Sequence, residues 1–167
     1  MSKQLILVRH GKSDWAVNGM ADFDRPLNHR GHKNAPEMAE RLLKRRLLPQ
    51  QLISSPAKRA LSTAQHFAES WGQKKSEIQK QESIYEANPA ALLRIINQMN
   101  NDYHRIALFG HNPGLTDLVN YLSDAHIYNI PTAGVVVIDF QLDDWAMVSQ
   151  HTGDLFLFDF PKSGDKI

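Results

Sequence analysis

The chain contains no cysteine. Disulfide staples, thiolate nucleophiles and cysteine-ligated zinc or iron–sulfur centres are therefore excluded, and the composition suits a reducing compartment. Excess charge of either sign is missing too: 19 Lys and Arg face 18 Asp and Glu, a net charge of +1. That balance gives no reason to expect nucleic acid or a membrane surface as partner. No apolar stretch approaches the roughly 20 residues that span a bilayer, and the run Leu5-Ile6-Leu7-Val8 is too short for the core of a signal peptide. A cytoplasmic protein is the expectation. Repeats, low-complexity tracts and linkers are absent as well, so a single domain over residues 1–167 is expected, long enough for a real core.

What is present is an alternation of apolar runs and helical patterns. Lys3–Val8 reads as a buried strand. Ala35, Met38, Ala39, Leu42, Leu43 and Leu47 recur at helical spacing within 31–47. Gln51–Ile53 is a second strand, after which Ser55 can cap a helix and Pro56 take its first position. Ala60, Leu61, Ala64, Phe67, Ala68 and Trp71 line that helix, Ile78–Ile84 is a weak strand, and Asn88-Pro89 starts a helix carrying Leu92, Leu93, Ile96 and Met99. Arg105–Phe109 is a strand, and Gly110-His111-Asn112-Pro113 opens a helix with Leu115, Leu118, Val119 and Leu122. Val135–Phe140 and Ala146–Gln150 read as the two strands of a hairpin; Leu155–Phe158 is apolar enough to pack, and the last few residues are expected to be loose. The pattern predicts an α/β fold: a three-layer sandwich with a mostly parallel central sheet, helices on both faces and an antiparallel hairpin near the C-terminus.

Three of the strands end on chemistry. Arg9-His10-Gly11 follows the first, Ser54-Ser55-Pro56 with Arg59 follows the second, and Gly110-His111 follows the strand at 105–109. In open parallel sheets ligands bind at the C-terminal strand ends. If these strands are neighbours, Arg9, His10, Arg59 and His111 converge. Two guanidinium forks match a tetrahedral oxyanion, and helix N-termini add free N–H groups. The pocket holds two imidazoles and no acidic cluster suited to a divalent metal, so neither metal nor cofactor is expected. Each residue also has a plainer reading: Arg59 as a solvated surface arginine, His111 as a turn histidine, Glu86 as a surface acid. His29, His32, His66, His104, His126 and His151 read as structural or exposed. The long unpatterned stretch from Lys12 to Arg30 is of the kind that is often functional.

Leu7-Val8-Arg9-His10-Gly11, Arg25-Pro26-Leu27 with Arg30-Gly31, Ser54-Ser55-Pro56 with Arg59-Ala60 and Thr63-Ala64, and Gly110-His111-Asn112-Pro113-Gly114 stand in order along the chain. Together they resemble the histidine phosphatase (phosphoglycerate mutase-like) superfamily, and most the small phosphohistidine phosphatase branch. The resemblance implies that His10 is the nucleophile and becomes phosphorylated, that Arg9 and Arg59 clamp the phosphoryl oxygens, and that His111 donates to them. It places Glu86 as proton donor; Arg25 and Arg30 either line the entrance or only tie down the long loop. It implies a metal-independent phosphatase working through a covalent phosphohistidine intermediate. The expected substrate is phosphohistidine on a signalling or phosphotransfer protein, since so short a chain has little room for a lid. The alternatives are a phosphatase of a small phosphoester metabolite in the same fold and a non-catalytic phosphate-binding module.

Overall fold

The computed structural model describes residues 2–15 and 19–162. The N-terminal apolar run forms β1 (Lys3–Arg9), whose Leu5 to Val8 are fully buried. Along it the side chains alternate between two cores, as period-two geometry requires. Leu5 and Leu7 belong to one core; Ile6 and Val8 belong to the other. The elements that follow are α1 (His29–Lys44), β2 (Gln51–Ser54), α2 (Lys58–Ser70), β3 (Gln79–Lys80), α3 (Pro89–Asn97), β4 (Arg105–Gly110), α4 (Gly114–Leu122), β5 (Val135–Phe140) and β6 (Gly153–Asp159).

The six strands make one sheet in the order β3-β2-β4-β1-β5-β6. Its β3, β2, β4 and β1 are parallel, and β5 and β6 complete it antiparallel. Helices α1 and α2 cover one face through Met38, Leu42, Phe67 and Trp71. Helices α3 and α4 cover the other through Leu92, Ile96, Leu115 and Leu118. Fully burying side chains of this size stabilises by about 1.5–3 kcal/mol each before entropy is charged. This is the expected three-layer α/β sandwich. Among the described residues no helix is long and apolar enough to cross a membrane.

Local corrections have identifiable causes. Ala146–Gln150 is not a strand. Trp145–Met147 is a 3-10 turn, with Asp144 accepting from the Ala146 N–H at 2.9 Å. Trp145 and Val148, three apart, both plug the core, a spacing that suits a turn and not strand alternation. The partner of β5 is instead β6, the Leu155–Phe158 run, with an irregularity in register between Val137 and Ile138. Of the weak strand at 78–84 only Gln79–Lys80 pairs, and Glu82–Ile84 turns away to bury Ile84. Helix α2 starts at Lys58 and not at Pro56, because the Ser55 hydroxyl accepts from the Ala57 N–H and closes a separate turn first. Asn88 caps α3 through the Ala91 N–H as expected, and the unforeseen cap of α1 is Asn28, accepting from Gly31. The chain end expected to be loose lies outside the described residues.

Candidate active site

Register alone brings the strand ends together. Arg9 pairs with Gly110 across β1 and β4, and the His10 N–H donates to the Gly110 carbonyl at 3.1 Å. On the other side of β4, the Ser55 N–H donates to the Phe109 carbonyl at 3.0 Å. His10, Ser55 and His111 therefore sit side by side at the C-terminal ends of three parallel neighbours. The two imidazole rings are 5.3 Å apart, centroid to centroid. His111 Nε2 and the Ser55 hydroxyl are hydrogen-bonded at 2.8 Å.

The loop after His10 is pinned by close packing. A Cβ on Gly11 would lie 3.1 Å from the Gly31 Cα, and one on Gly31 would lie 2.2 Å from the Lys12 carbonyl oxygen. Both positions need glycine for close approach, and neither has a positive φ. The Gly11 N–H donates to Thr63 Oγ1 at 2.9 Å, and that hydroxyl donates to the Arg59 carbonyl at 2.8 Å. One hydroxyl thus ties the loop after His10 to the first turns of α2, which carry Arg59.

His10 is 7% exposed, and its Nδ1 lies 2.7 Å from the Gly11 carbonyl oxygen. A carbonyl can only accept, so Nδ1 carries the proton and Nε2 keeps its lone pair. Burial, with Arg59, Arg9 and Arg25 adding like charge, pushes the His10 pKa down to about 4 against the favourable pull of the Gly11 carbonyl. Burial, then His10 and Arg59, push His111 down to about 3. Both rings are neutral at pH 7. Among the described residues, the buried side-chain nitrogens without a partner are Arg9 Nε, Arg59 Nε and His111 Nδ1. All three belong to the residues expected to hold an oxyanion. Such orphans are costly in a core and natural in a binding site.

Arg9 Nη1 donates to the Ile130 carbonyl at 2.8 Å. Arg59 is 6% exposed and donates to Asp22, through Nη1 to the backbone carbonyl at 2.8 Å and through Nη2 to the carboxylate at 3.1 Å. The same carboxylate accepts from Tyr85 at 2.6 Å and pairs with Arg25 at 3.0 Å. The Tyr85 bond first, and then Arg59 and Arg25, hold the Asp22 carboxyl down at about 2 despite some desolvation. Tyr85 is raised to about 12 by the same bond, and its ring lies 5.5 Å from that of His111. Asp22 and Tyr85 are the site residues that sequence reasoning does not single out. Arg25 also donates to Ser13 at 2.8 Å, so it ties down the long loop as well as facing the site. Glu86 is exposed, has φ +58°, and its charge adds to the upward shift of Tyr85. The turn at Glu86 places its neighbour Tyr85 against Asp22.

The profile of the histidine phosphatase superfamily (branch 1) matches residues 5–92. The chain belongs to that superfamily. An uncharacterised chloroplast protein of Arabidopsis thaliana is 31% identical over 76% of this chain and 62% of its own length. The chain spans less than two thirds of the length of the curated relatives it matches. A solved structure from Agrobacterium tumefaciens, assigned as the phosphohistidine phosphatase SixA, is 27% identical with a TM-score of 0.81, covering 95% of this chain and 98% of that one. The protein histidine phosphatase SixA complexed with tungstate shares the fold at 18% identity and a TM-score of 0.81, covering 96% and 98%.

The depressed histidines make a prediction about stability. Unfolded histidine binds a proton near pH 6.5, whereas folded His10 and His111 do so near 4 and 3. Below pH 6.5 the unfolded chain therefore binds more protons, and stability is lost as pH falls through the folded values. Each such group contributes at most about 1.4 kcal/mol per pH unit in that window. Asp22 acts in the same sense, but only below its ordinary value of 3.8. Between pH 6.5 and 4 the unfolding free energy of the wild type is expected to fall more steeply than that of a His10→Gln/His111→Gln variant. Parallel denaturant-unfolding curves across that range would contradict the neutral, buried pair.

Proposed function

We propose that this protein is a metal-independent phosphatase that removes phosphoryl groups through a phosphohistidine intermediate on His10, acting on phosphohistidine of a signalling or phosphotransfer protein. The observation that carries the reading is the tautomer of His10. With Nδ1–H spent on the Gly11 carbonyl, the lone pair of Nε2 is the one available to attack. Nucleophilic catalysis needs such an unprotonated nitrogen at neutral pH.

The Nε2 lone pair forms a bond to phosphorus while the bond from phosphorus to the leaving nitrogen or oxygen breaks, its electron pair departing with the leaving group. Arg9, Arg59 and His111 Nδ1–H donate to the equatorial oxygens as charge spreads over them. His111 can supply that proton when Ser55 donates to its Nε2, an arrangement open to the serine because its oxygen has spare lone pairs for Ala57. The phosphoimidazolium on His10 keeps its Nδ1–H bond to Gly11. Water then attacks phosphorus, the P–Nε2 bond breaks, and phosphate leaves with His10 neutral again. Arriving phosphate competes with the Asp22 carboxylate for Arg59, while Tyr85 and Arg25 keep hold of that carboxylate.

Phosphohistidine is favoured by two features. The connection between β3 and α3 is only residues 81–88, too short to fold into a separate lid. The proton donor is also weakly placed, and imidazole is a far better leaving group than an alkoxide. Glu86→Gln is therefore expected to lower kcat/KM less than about threefold on a phosphohistidine protein, but by about 10²-fold on an alkyl phosphoester. Equal losses on the two substrates would remove the leaving-group argument. The wider test is a panel of a phosphohistidine protein, phosphoserine and phosphotyrosine peptides, sugar phosphates and p-nitrophenyl phosphate. The phosphohistidine protein is expected to give the highest kcat/KM. A sugar phosphate ahead of it would transfer the assignment to a small metabolite, and turnover of none would make the protein a phosphate-binding module.

A further inference from the structure

Beside the nucleophile lies a cleft of about 530 Å³ that the chemistry above does not use. Lys12, Arg30, Lys33 and Lys162 line it, together with Thr132 and Glu37. It abuts the active site on two sides. Lys12 is two residues beyond His10, and Thr132 precedes Ala133, whose N–H donates to the His10 carbonyl at 3.0 Å.

The charge of this cleft is one-sided. Its four cations are exposed, and none forms an ion pair or side-chain hydrogen bond among the described residues. Its acid is spent: Glu37 binds Arg41 at 2.8 Å and accepts from Asn34 at 3.3 Å. Arg30 is placed against local preference, because it occupies the first turn of α1, which has no acidic residue, and Lys33 follows at the start of the second turn. Cations there oppose the helix dipole, and carboxylates are the residues that stabilise such a turn. The fold gains nothing from this arrangement, whereas an anionic partner gains both the charges and the positive end of the helix. The net charge of the whole chain is only +1, so the cleft is a local concentration and not a general property of the surface.

We propose that this cleft docks an acidic segment of the phosphorylated protein, alongside the phosphohistidine held at His10; this rests on the protein-substrate reading above. Arg30, Lys33, Asn34 and Glu37 form one stripe of α1. At 1.5 Å per residue the stripe is about 10 Å long, the span of about three extended residues. The recognised feature is two or three Asp or Glu residues within a few positions of the phosphohistidine.

The test uses two phosphohistidine peptides that differ only in flanking Asp/Glu or Asn/Gln, assayed on the full chain. The wild type is expected to prefer the acidic peptide at least tenfold in kcat/KM, mainly through KM, and the preference is expected to shrink with added salt. Arg30→Glu/Lys33→Glu is expected to abolish the preference and leave p-nitrophenyl phosphate turnover within twofold. Arg30→Glu puts an acid in the first turn, where α1 prefers one. Lys33 is exposed, so Lys33→Glu meets only a weak repulsion from Glu37 four residues on, and thermal unfolding of the variant checks that it is folded. A wild type that treats the peptides alike, or a variant that keeps the preference, would overturn the proposal. So would a wild type that favours a small bisphosphate ester, with the variant losing that substrate as strongly as the acidic peptide. If neither peptide is turned over, the phosphohistidine reading fails by itself. Fluorescence anisotropy of the unphosphorylated acidic peptide still reads the cleft: binding lost in the variant supports it, and no binding to the wild type refutes it.

Discussion

His10→Ala is expected to remove turnover of every phosphorylated substrate, by about 10⁴–10⁶-fold in kcat, the scale on which enzymes lose rate when a covalent nucleophile is deleted. The change should not unfold the protein. His10 sits at the end of β1, and its backbone bonds to Gly110 and Ala133 do not depend on its side chain. The variant is therefore expected to stay folded and to bind phosphate or vanadate within about tenfold of the wild type, since the clamp is intact. Residual kcat within tenfold of the wild type would mean that another group attacks phosphorus.

Arg59→Ala is expected to lower kcat/KM by about 10²–10³-fold, the cost of removing a pre-positioned donor to transition-state charge. The guanidinium is 6% exposed, and its Nε has no protein partner. Its terminal nitrogens both hold Asp22, one through the backbone carbonyl and one through the carboxylate, so the truncation leaves that carboxylate to Tyr85 and Arg25. Arg59→Lys is expected to recover only part of the loss, because an ammonium cannot make two parallel bonds. A second variant separates the two roles. Asp22→Asn keeps the fork and weakens its competitor, so phosphate should inhibit it more strongly than it inhibits the wild type. Full activity in Arg59→Lys would show that charge alone, and not the fork, is what the site uses.

The convergence of Arg9, His10, Arg59 and His111 is legible in the sequence because it rests on short-range signals. Each strand is an apolar run that stops at polar residues, and parallel register then aligns the stops. The three layers are legible for the same reason, since period two along the strands and period 3.6 along the helices both point inward. Asp22 is not legible. It lies in an unpatterned loop, and its partners Arg59 and Tyr85 are 37 and 63 positions away. Nothing local marks it out from Asp14 or Asp24. Tyr85 is obscured by its neighbour. Either residue could face the site from the end of a strand, and the choice is made by the burial of Ile84 and the positive φ at Glu86, which are tertiary facts. Ser55 reads as a helix cap because serine before proline usually is one, whereas its hydroxyl serves a turn and His111. The misplaced strand at 146–150 has a similar origin: Trp145 and Val148 are apolar because they fill a gap beside α3, and the true edge strand lies beyond them.

The most direct test of a covalent route through His10 is rapid acid-free quenching of the enzyme during turnover of a phosphohistidine protein, followed by peptide mass spectrometry. The phosphate is expected on the peptide containing His10, stable in alkali, lost in mild acid and absent from His10→Ala. Phosphate on a serine, a threonine or a carboxylate, or rapid turnover with no phosphoenzyme at any time, would contradict it.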